Sequence, residues 1–265
     1  MPVASEIGLR IAEVSLAVET DRGALAALVA RRYAGFVAPA TAADWRVRIA
    51  VANGAWPAPP DVEVEREGDC FRIARHDFHG AVDTAARVAD VVAIDVRETT
   101  VDSALRVVMS LVLGTDGGLL VHAASLARDG RGFVFAGPSG SGKTTLTRLA
   151  KADLLSDELS IVRVRDGVVT CHGTPFWGEL ARGGDNRTVP LAGLYRLHKA
   201  QEHARRPLAR GRALAMLLEN VMWFSRDADA VARVVALAAA IVERVPCYEL
   251  HFRRDGGFWA VVDGE

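Results

Sequence analysis

Eight consecutive residues, Gly137-Pro138-Ser139-Gly140-Ser141-Gly142-Lys143-Thr144, carry the spacing G-x-x-x-x-G-K-[ST]. These residue types point to phosphate chemistry. Gly137, Gly140 and Gly142 let the backbone curl so that successive N–H groups face inward as an anion nest. A helix beginning here would add the positive end of its dipole. The Lys143 ammonium can reach the β- and γ-phosphates of a nucleotide, and the Thr144 hydroxyl can ligate Mg²⁺. Ser139, Ser141 and Thr145 complete the polar lining expected around the phosphates.

A second group lies in Leu154-Leu155-Ser156-Asp157-Glu158-Leu159-Ser160-Ile161-Val162. Two acids stand inside an apolar run that reads as one strand. Burying unpaired carboxylates is costly, so a metal or a cationic partner is expected. Asp157 and Glu158 can bind phosphate-associated Mg²⁺ or accept a proton from an attacking hydroxyl. His122, in Leu119-Leu120-Val121-His122-Ala123, belongs to the strand before the glycine-rich loop. A lone histidine on an apolar strand is ordinarily a hydrogen-bonded core residue; its place beside the loop makes it a candidate. Weaker signals are the loop Cys171-His172-Gly173-Thr174-Pro175-Phe176-Trp177-Gly178-Glu179, the segment Gly184-Asp185-Asn186-Arg187, and the pair His76 and His79, which reads as surface. A basic stretch holds His198, Lys199, His203, Arg205, Arg206, Arg210 and Arg212. It reads either as a solvated loop or as the source of an arginine for the nucleotide or for an acidic partner.

The elements that must position these groups follow from periodicity. Strand Gly132 to Ala136 and helix Thr145 to Ala150 flank the loop. Strand Leu119 to Leu126 precedes it through a turn at Asp129-Gly130, which makes the neighbouring strands antiparallel and the sheet mixed. Strand Leu154 to Val164, a hairpin at Asp166-Gly167, strands Val168 to His172 and Leu191 to His198, and helices Gly211 to Phe224 and Ala228 to Val245 come next. A closing hairpin is expected from Cys247 to Phe252 and Gly257 to Val262. The first part of the chain reads as a small α+β module without catalytic signature. It has a strand Leu9 to Glu19, a helix Gly23 to Tyr33, a strand Trp45 to Val51 and a loop Asn53 to Pro60. A hairpin Val62 to Glu67 with Phe71 to Arg75, a helix Ala81 to Ala89 and a strand Val91 to Val96 follow. Helix Thr100 to Leu113, capped by Thr100 or Asp102, bridges to the core. The expected division is 1–98, an α+β module suited to substrate docking, and 99–265, the catalytic domain.

The chain has 265 residues, half of them apolar, and a formal net charge of −1. No basic field for nucleic acid is present. Cys70, Cys171 and Cys247 are isolated and odd in number, which argues against a disulfide framework and for a reducing, cytoplasmic setting. The first residues lack a signal-peptide pattern, and Val107 to Leu113 and Val231 to Val242 are too short to span a bilayer, so no membrane partner is expected.

Taken together, Val121-His122-Ala123, the glycine-rich loop and Ser156-Asp157-Glu158 resemble the catalytic core of HPr kinase/phosphorylase. Gly211-Arg212-Ala213-Leu214-Ala215, with Glu219, is similar to a helix of that family. The resemblance covers roughly Leu119 to Asn220. It implies a phosphoenolpyruvate-carboxykinase-like mixed sheet and an ATP- and Mg²⁺-dependent serine kinase. By the same resemblance Lys143 and Thr144 hold phosphate and metal, Asp157 and Glu158 supply base and metal ligation, His122 lies near the transferred group, and the chain forms homo-oligomers. Two departures stand out. Glu158 replaces the family's second Asp, and His172-Gly173-Thr174-Pro175 replaces its Arg-Gly-Leu-Gly stretch, so HPr itself and the reverse reaction are not carried over. The tail Pro246-Cys247-Tyr248-Glu249-Leu250 looks more like a related group found with peptide-modification genes, whose acceptor would be a serine of a peptide or small protein. A small-molecule kinase and a non-catalytic ATP-sensing module are the alternatives.

Overall fold

Residues 5–52 and 59–263 are described by the computed structural model. The loop expected at 53–60 lies outside them over 53–58, as do residues 1–4. The chain folds as two units: one runs up to Asp116 and includes Trp223–Ala232, and the other comprises Gly117–Met222 and Arg233–Glu265. The boundary expected at 98/99 falls inside the first unit, which takes in the helix that follows it.

The first unit contains β1 (Ser5–Ile11), β2 (Val14–Thr20), α1 (Gly23–Arg32), β3 (Trp45–Val51), β4 (Glu63–Glu67), β5 (Cys70–Arg75), β6 (Phe78–Asp83), β7 (Val88–Ala93) and α2 (Glu98–Thr115). Its seven strands form a mixed sheet in the order β1-β2-β3-β7-β6-β5-β4. Three expectations are corrected here. The single strand Leu9 to Glu19 is a hairpin, because Ala12 and Glu13 both take positive φ, at 50° and 66°, and turn the chain in two residues. The helix Ala81 to Ala89 is the end of β6, a turn and the start of β7: Asp83 Oδ1 accepts the N–H groups of Ala85 and Ala86 and fixes that turn. Neither Thr100 nor Asp102 caps α2, which starts at Glu98. The Asp102 carboxylate instead accepts the Tyr33 hydroxyl at 2.8 Å and pairs with Arg32 at 2.9 Å and with Arg106 at 2.7 Å, joining α2 to the end of α1.

The second unit begins with β8 (Gly118–Arg128), β9 (Arg131–Ala136), α3 (Lys143–Leu149), β10 (Asp153–Ser156), β11 (Leu159–Arg165), β12 (Val168–His172), β13 (Thr188–Lys199), β14 (Ala204–Pro207) and α4 (Arg210–Asn220). Helix α5 (Ala228–Arg244) leads into β15 (Cys247–Phe252) and α6 (Phe258–Asp263). Strand β9 lies between β8, antiparallel, and β13, parallel, so the expected mixed sheet is present. Long strands do double work. The first half of β8 pairs with β11 and its second half with β10, while its other edge carries β9. The first residues of β13 pair with β12 and the rest with β9 and β15.

Two further expectations change. The run Leu154 to Val164 is two strands, β10 and β11, broken at Asp157-Glu158. The buried Ser156 hydroxyl accepts the N–H groups of Glu158 and Leu159, at 3.2 and 3.0 Å, and so takes them out of the ladder. The closing hairpin is absent: Phe258, Trp259 and Val262 bury one face of α6, and β15 pairs instead with β14, inside the basic stretch. Beneath β9, β13 and β15 lies an aromatic core of Phe133, Phe135, Tyr195, Phe252, Phe258 and Trp259, joined by Leu146 of α3. Burial of each such side chain contributes about 2 kcal/mol. The Trp259 indole N–H donates to the Ala150 carbonyl at 2.6 Å, fixing the end of α3. Both flanks of the glycine-rich loop are thus anchored in one core.

Candidate functional site

The loop after β9 ends in Gly142, whose φ of +106° is open to glycine and strained for other residues. A Cβ there would also lie 2.7 Å from Phe252 Cζ. Lys143 follows, 8 % exposed, and its ammonium donates to the Gly137 carbonyl at 2.8 Å. Burial pushes the Lys143 pKa down, opposed by the nearby Glu158 carboxylate. The Ser141 hydroxyl is buried without a hydrogen-bond partner among the described residues. The site therefore holds an inward-facing cation suited to anionic oxygens, while the unsatisfied Ser141 hydroxyl stays behind the loop.

Opposite the loop, β8 fixes the second wall by register. Ala123 pairs with Ala136, the last residue of β9, and His122 pairs on the other edge with Leu159, the first of β11. The break at Asp157-Glu158 thus stands two strand spacings, about 10 Å, from the end of β9. His122 Nε2 lies 3.9 Å from Glu158 Oε1, with both side chains partly exposed.

Asp157 behaves differently. It is 3 % exposed, its Oδ1 accepts the Gly178 N–H at 3.0 Å, and its Oδ2 accepts the Leu180 N–H at 2.8 Å. Bonds of this charge-assisted kind are worth about 1.5–3 kcal/mol each. The loop Gly173 to Arg187 is laced to β10 and β11 by further bonds: Thr174 N–H to Leu155 O, Thr174 Oγ1 to Leu159 O and Asp185 N–H to Leu154 O. It packs closely at Gly178, where a Cβ would lie 2.2 Å from Glu158 Oε2 and the Glu158 side chain would have to move aside. The weak sequence signal at Cys171 to Glu179 is therefore a segment packed against the two acids.

A cavity of about 340 Å³ lies between these walls. Of the predicted site residues, His122, Ser139, Gly140, Gly142, Lys143, Thr144, Thr145, Asp157 and Glu158 line it. Gly137 receives the lysine and Ser141 packs behind the loop, its Oγ 2.8 Å from where a Gly137 Cβ would stand. Glu179 and Lys199 also line the cavity, and neither was singled out as a site residue. Glu179 arrives between the two amides that Asp157 holds. Lys199 ends β13, the parallel neighbour of β9, and the carboxyl ends of parallel strands are where open α/β sheets place ligands. Thr144, Asp157, Glu158 and Glu179 offer oxygen ligands of the kind Mg²⁺ takes alongside substrate phosphates. No group of three His, Cys, Asp or Glu side chains converges as a metal site among the described residues. His76 is bonded to the Pro60 carbonyl at 3.2 Å instead. Arg205 covers the Tyr248 ring and Arg212 lies 4.0 Å from Glu249.

Next to the site, His172 is 1 % exposed, with ring nitrogens 2.9 Å from the hydroxyls of Thr170 and Thr188. Burial, with Arg163 and Arg165 nearby, pushes its pKa from 6.5 to about 4. The folded state resists a proton that the unfolded chain takes up below pH 6.5. Stability is therefore lost as pH falls from about 6.5 to about 4, by about 3 kcal/mol in all. Urea unfolding followed from pH 7 to pH 4 is expected to show this fall, and His172→Gln is expected to flatten it. Cys171 is buried, which pushes its thiol up to about 12 and rules it out as a ready nucleophile.

No described helix is long and apolar enough to cross a membrane. No curated protein matches the sequence. The family model described as SynChlorMet cassette protein ScmC matches residues 87–264, which takes in all of the second unit except its last residue. On that match, over well more than half its length, the chain belongs to the ScmC family of SynChlorMet cassette proteins.

Proposed function

We propose that the second unit is an ATP- and Mg²⁺-dependent kinase that phosphorylates a hydroxyl, that of a serine of a peptide or small protein. The observation that carries this reading is the shared cavity: Lys143 and Thr144 on one wall, Glu158, Asp157 and His122 on the other. The motif order that resembles HPr kinase supports it, and so does the fit of the cavity-lining Lys143 ammonium to phosphate oxygens. When bound, the nucleotide supplies the phosphoryl group and the metal neutralises its charge. The chain's own residues then bind and orient. Lys143 leaves the Gly137 carbonyl for the phosphates, Lys199 adds a second cation at the cavity edge, Thr144 and Glu179 would hold the metal, and the Glu158 and His122 wall receives the acceptor hydroxyl. The family name marks a cassette, so products of neighbouring genes are the first acceptors to try.

The test is incubation with γ-labelled ATP, Mg²⁺ and serine-containing peptides and small proteins encoded beside this chain. Label on a serine is the expected result. Label on a metabolite would shift the acceptor to small molecules. Tight ATP binding without transfer to any acceptor would leave a nucleotide sensor.

A further inference from the structure

The two adjacent acids differ in what surrounds them. Asp157 is 3 % exposed with a backbone N–H on each oxygen, and both N–H groups come from one short segment, at Gly178 and Leu180. Glu158 is partly exposed, faces His122, and rests directly over Gly178. We propose that Asp157 is a positioning residue: its carboxylate clamps the backbone at 178–180, that backbone forms the floor under Glu158, and Glu158 is the acid that meets the acceptor hydroxyl. This inference rests on the kinase reading of the same cavity. It divides between the acids a role that their adjacency in sequence leaves shared.

The geometry supports each link. A carboxylate accepting N–H groups from residues two apart holds that stretch of backbone as a single rigid piece. Glu179, between the two held amides, is thereby kept at the cavity wall. Gly178 has no side chain, and the Glu158 carboxylate packs into the space that a Cβ there would fill. In the transfer step Glu158 takes the proton as the serine Oγ–H bond breaks and Oγ bonds to the γ-phosphorus; the bond from that phosphorus to the bridging oxygen breaks, and its electron pair leaves on ADP. Asp157 touches none of these atoms.

The test uses the full chain and two readouts. The first is trypsin cleavage after Arg182, an exposed residue of the clamped loop, followed by mass spectrometry without nucleotide. Asp157→Ala and Asp157→Asn are expected to speed that cleavage at least about tenfold, the effect of losing a charge-assisted bond, whereas Glu158→Ala leaves it unchanged. The second is phosphoryl transfer with added sodium acetate. Acetate is expected to restore part of the rate to Glu158→Ala, where it replaces a lost proton acceptor, and none to Asp157→Ala, where backbone has moved. Gly178→Ala keeps the Asp157 clamp but pushes Glu158 aside; it is expected to lose at least about tenfold in kcat with normal trypsin resistance, which covers the case in which the Asp157 variants fold poorly. Unchanged cleavage in Asp157→Asn, or acetate rescue of Asp157→Ala but not of Glu158→Ala, would overturn the proposal. Absence of turnover by the wild type would instead sink the kinase reading, and the trypsin comparison would still decide the clamp.

Discussion

Lys143→Ala is expected to weaken ATP binding about 100-fold and to bring phosphoryl transfer down by a further factor of about 10² to 10³. The reasoning starts from where the ammonium stands. It is nearly buried, 2.8 Å from the Gly137 carbonyl, and burial has pushed its pKa down. A cation already removed from water interacts strongly with phosphate oxygens because little further desolvation is needed. Removing it takes away the one loop side chain with a full positive charge, while the N–H groups of the glycine-rich backbone remain. The fold is expected to survive intact, since a half-satisfied buried cation contributes little to stability. Displacement of a fluorescent ATP analogue measures the affinity, initial rates measure transfer, and a thermal melt serves as control. Wild-type affinity in this variant would remove the loop as the nucleotide site.

Asp102→Ala is expected to destabilise the first unit by about 3 kcal/mol, and its effect does not depend on any functional reading. Arg32, with a side chain 2 % exposed, pairs with Asp102 at 2.9 Å, and the buried Tyr33 hydroxyl donates to the same carboxylate. Taking away one partner of a buried pair leaves the other charge uncompensated, which costs about 3–5 kcal/mol. Glu98, 3.1 Å from Arg32 but partly exposed, softens the loss and sets the lower figure. Against a total of about 5–15 kcal/mol for a typical domain, this is a large fraction. Urea denaturation gives the difference directly. The double variant Arg32→Met with Asp102→Leu is expected to recover part of it, because it removes both charges while the buried Tyr33 hydroxyl still lacks the Asp102 acceptor. A wild-type midpoint for Asp102→Ala alone would show that the network adds nothing to the fold.

The contrast between turns explains what the sequence made legible. Asp129-Gly130 and Asp166-Gly167 both take positive φ at their two residues, as Ala12-Glu13 does. The first two carry the residue types that favour that backbone, and both hairpins were read correctly. Ala12-Glu13 carries neither, so its hairpin reads as one strand in the sequence. Ala81 to Ala89 failed for a related reason: alanine-rich spacing imitates a helix, while Asp83 folds the chain back through its own side chain. In the site, Lys143, Thr144, His122 and the two acids were legible because each lies in a local pattern. Glu179 and Lys199 were not. They stand only inside the weaker loop and basic-stretch signals, and they reach the cavity through a clamp 21 and 23 residues from Asp157 and through a parallel strand pairing, which no local pattern shows. The different surroundings of Asp157 and Glu158 are equally invisible in their adjacency.

Strand β8 carries the entrance of the loop on one edge and the break that releases the acids on the other. This makes its length a matter of inheritance as much as of packing. Wall residues can be exchanged one at a time and leave the frame in place. An inserted or deleted codon between Leu119 and Leu126 has no such gradual path, because a one-residue slip turns His122 to the opposite face and shifts both edges together. Descendants of this chain are therefore expected to vary in the side chains of this strand long before they vary in its residue count.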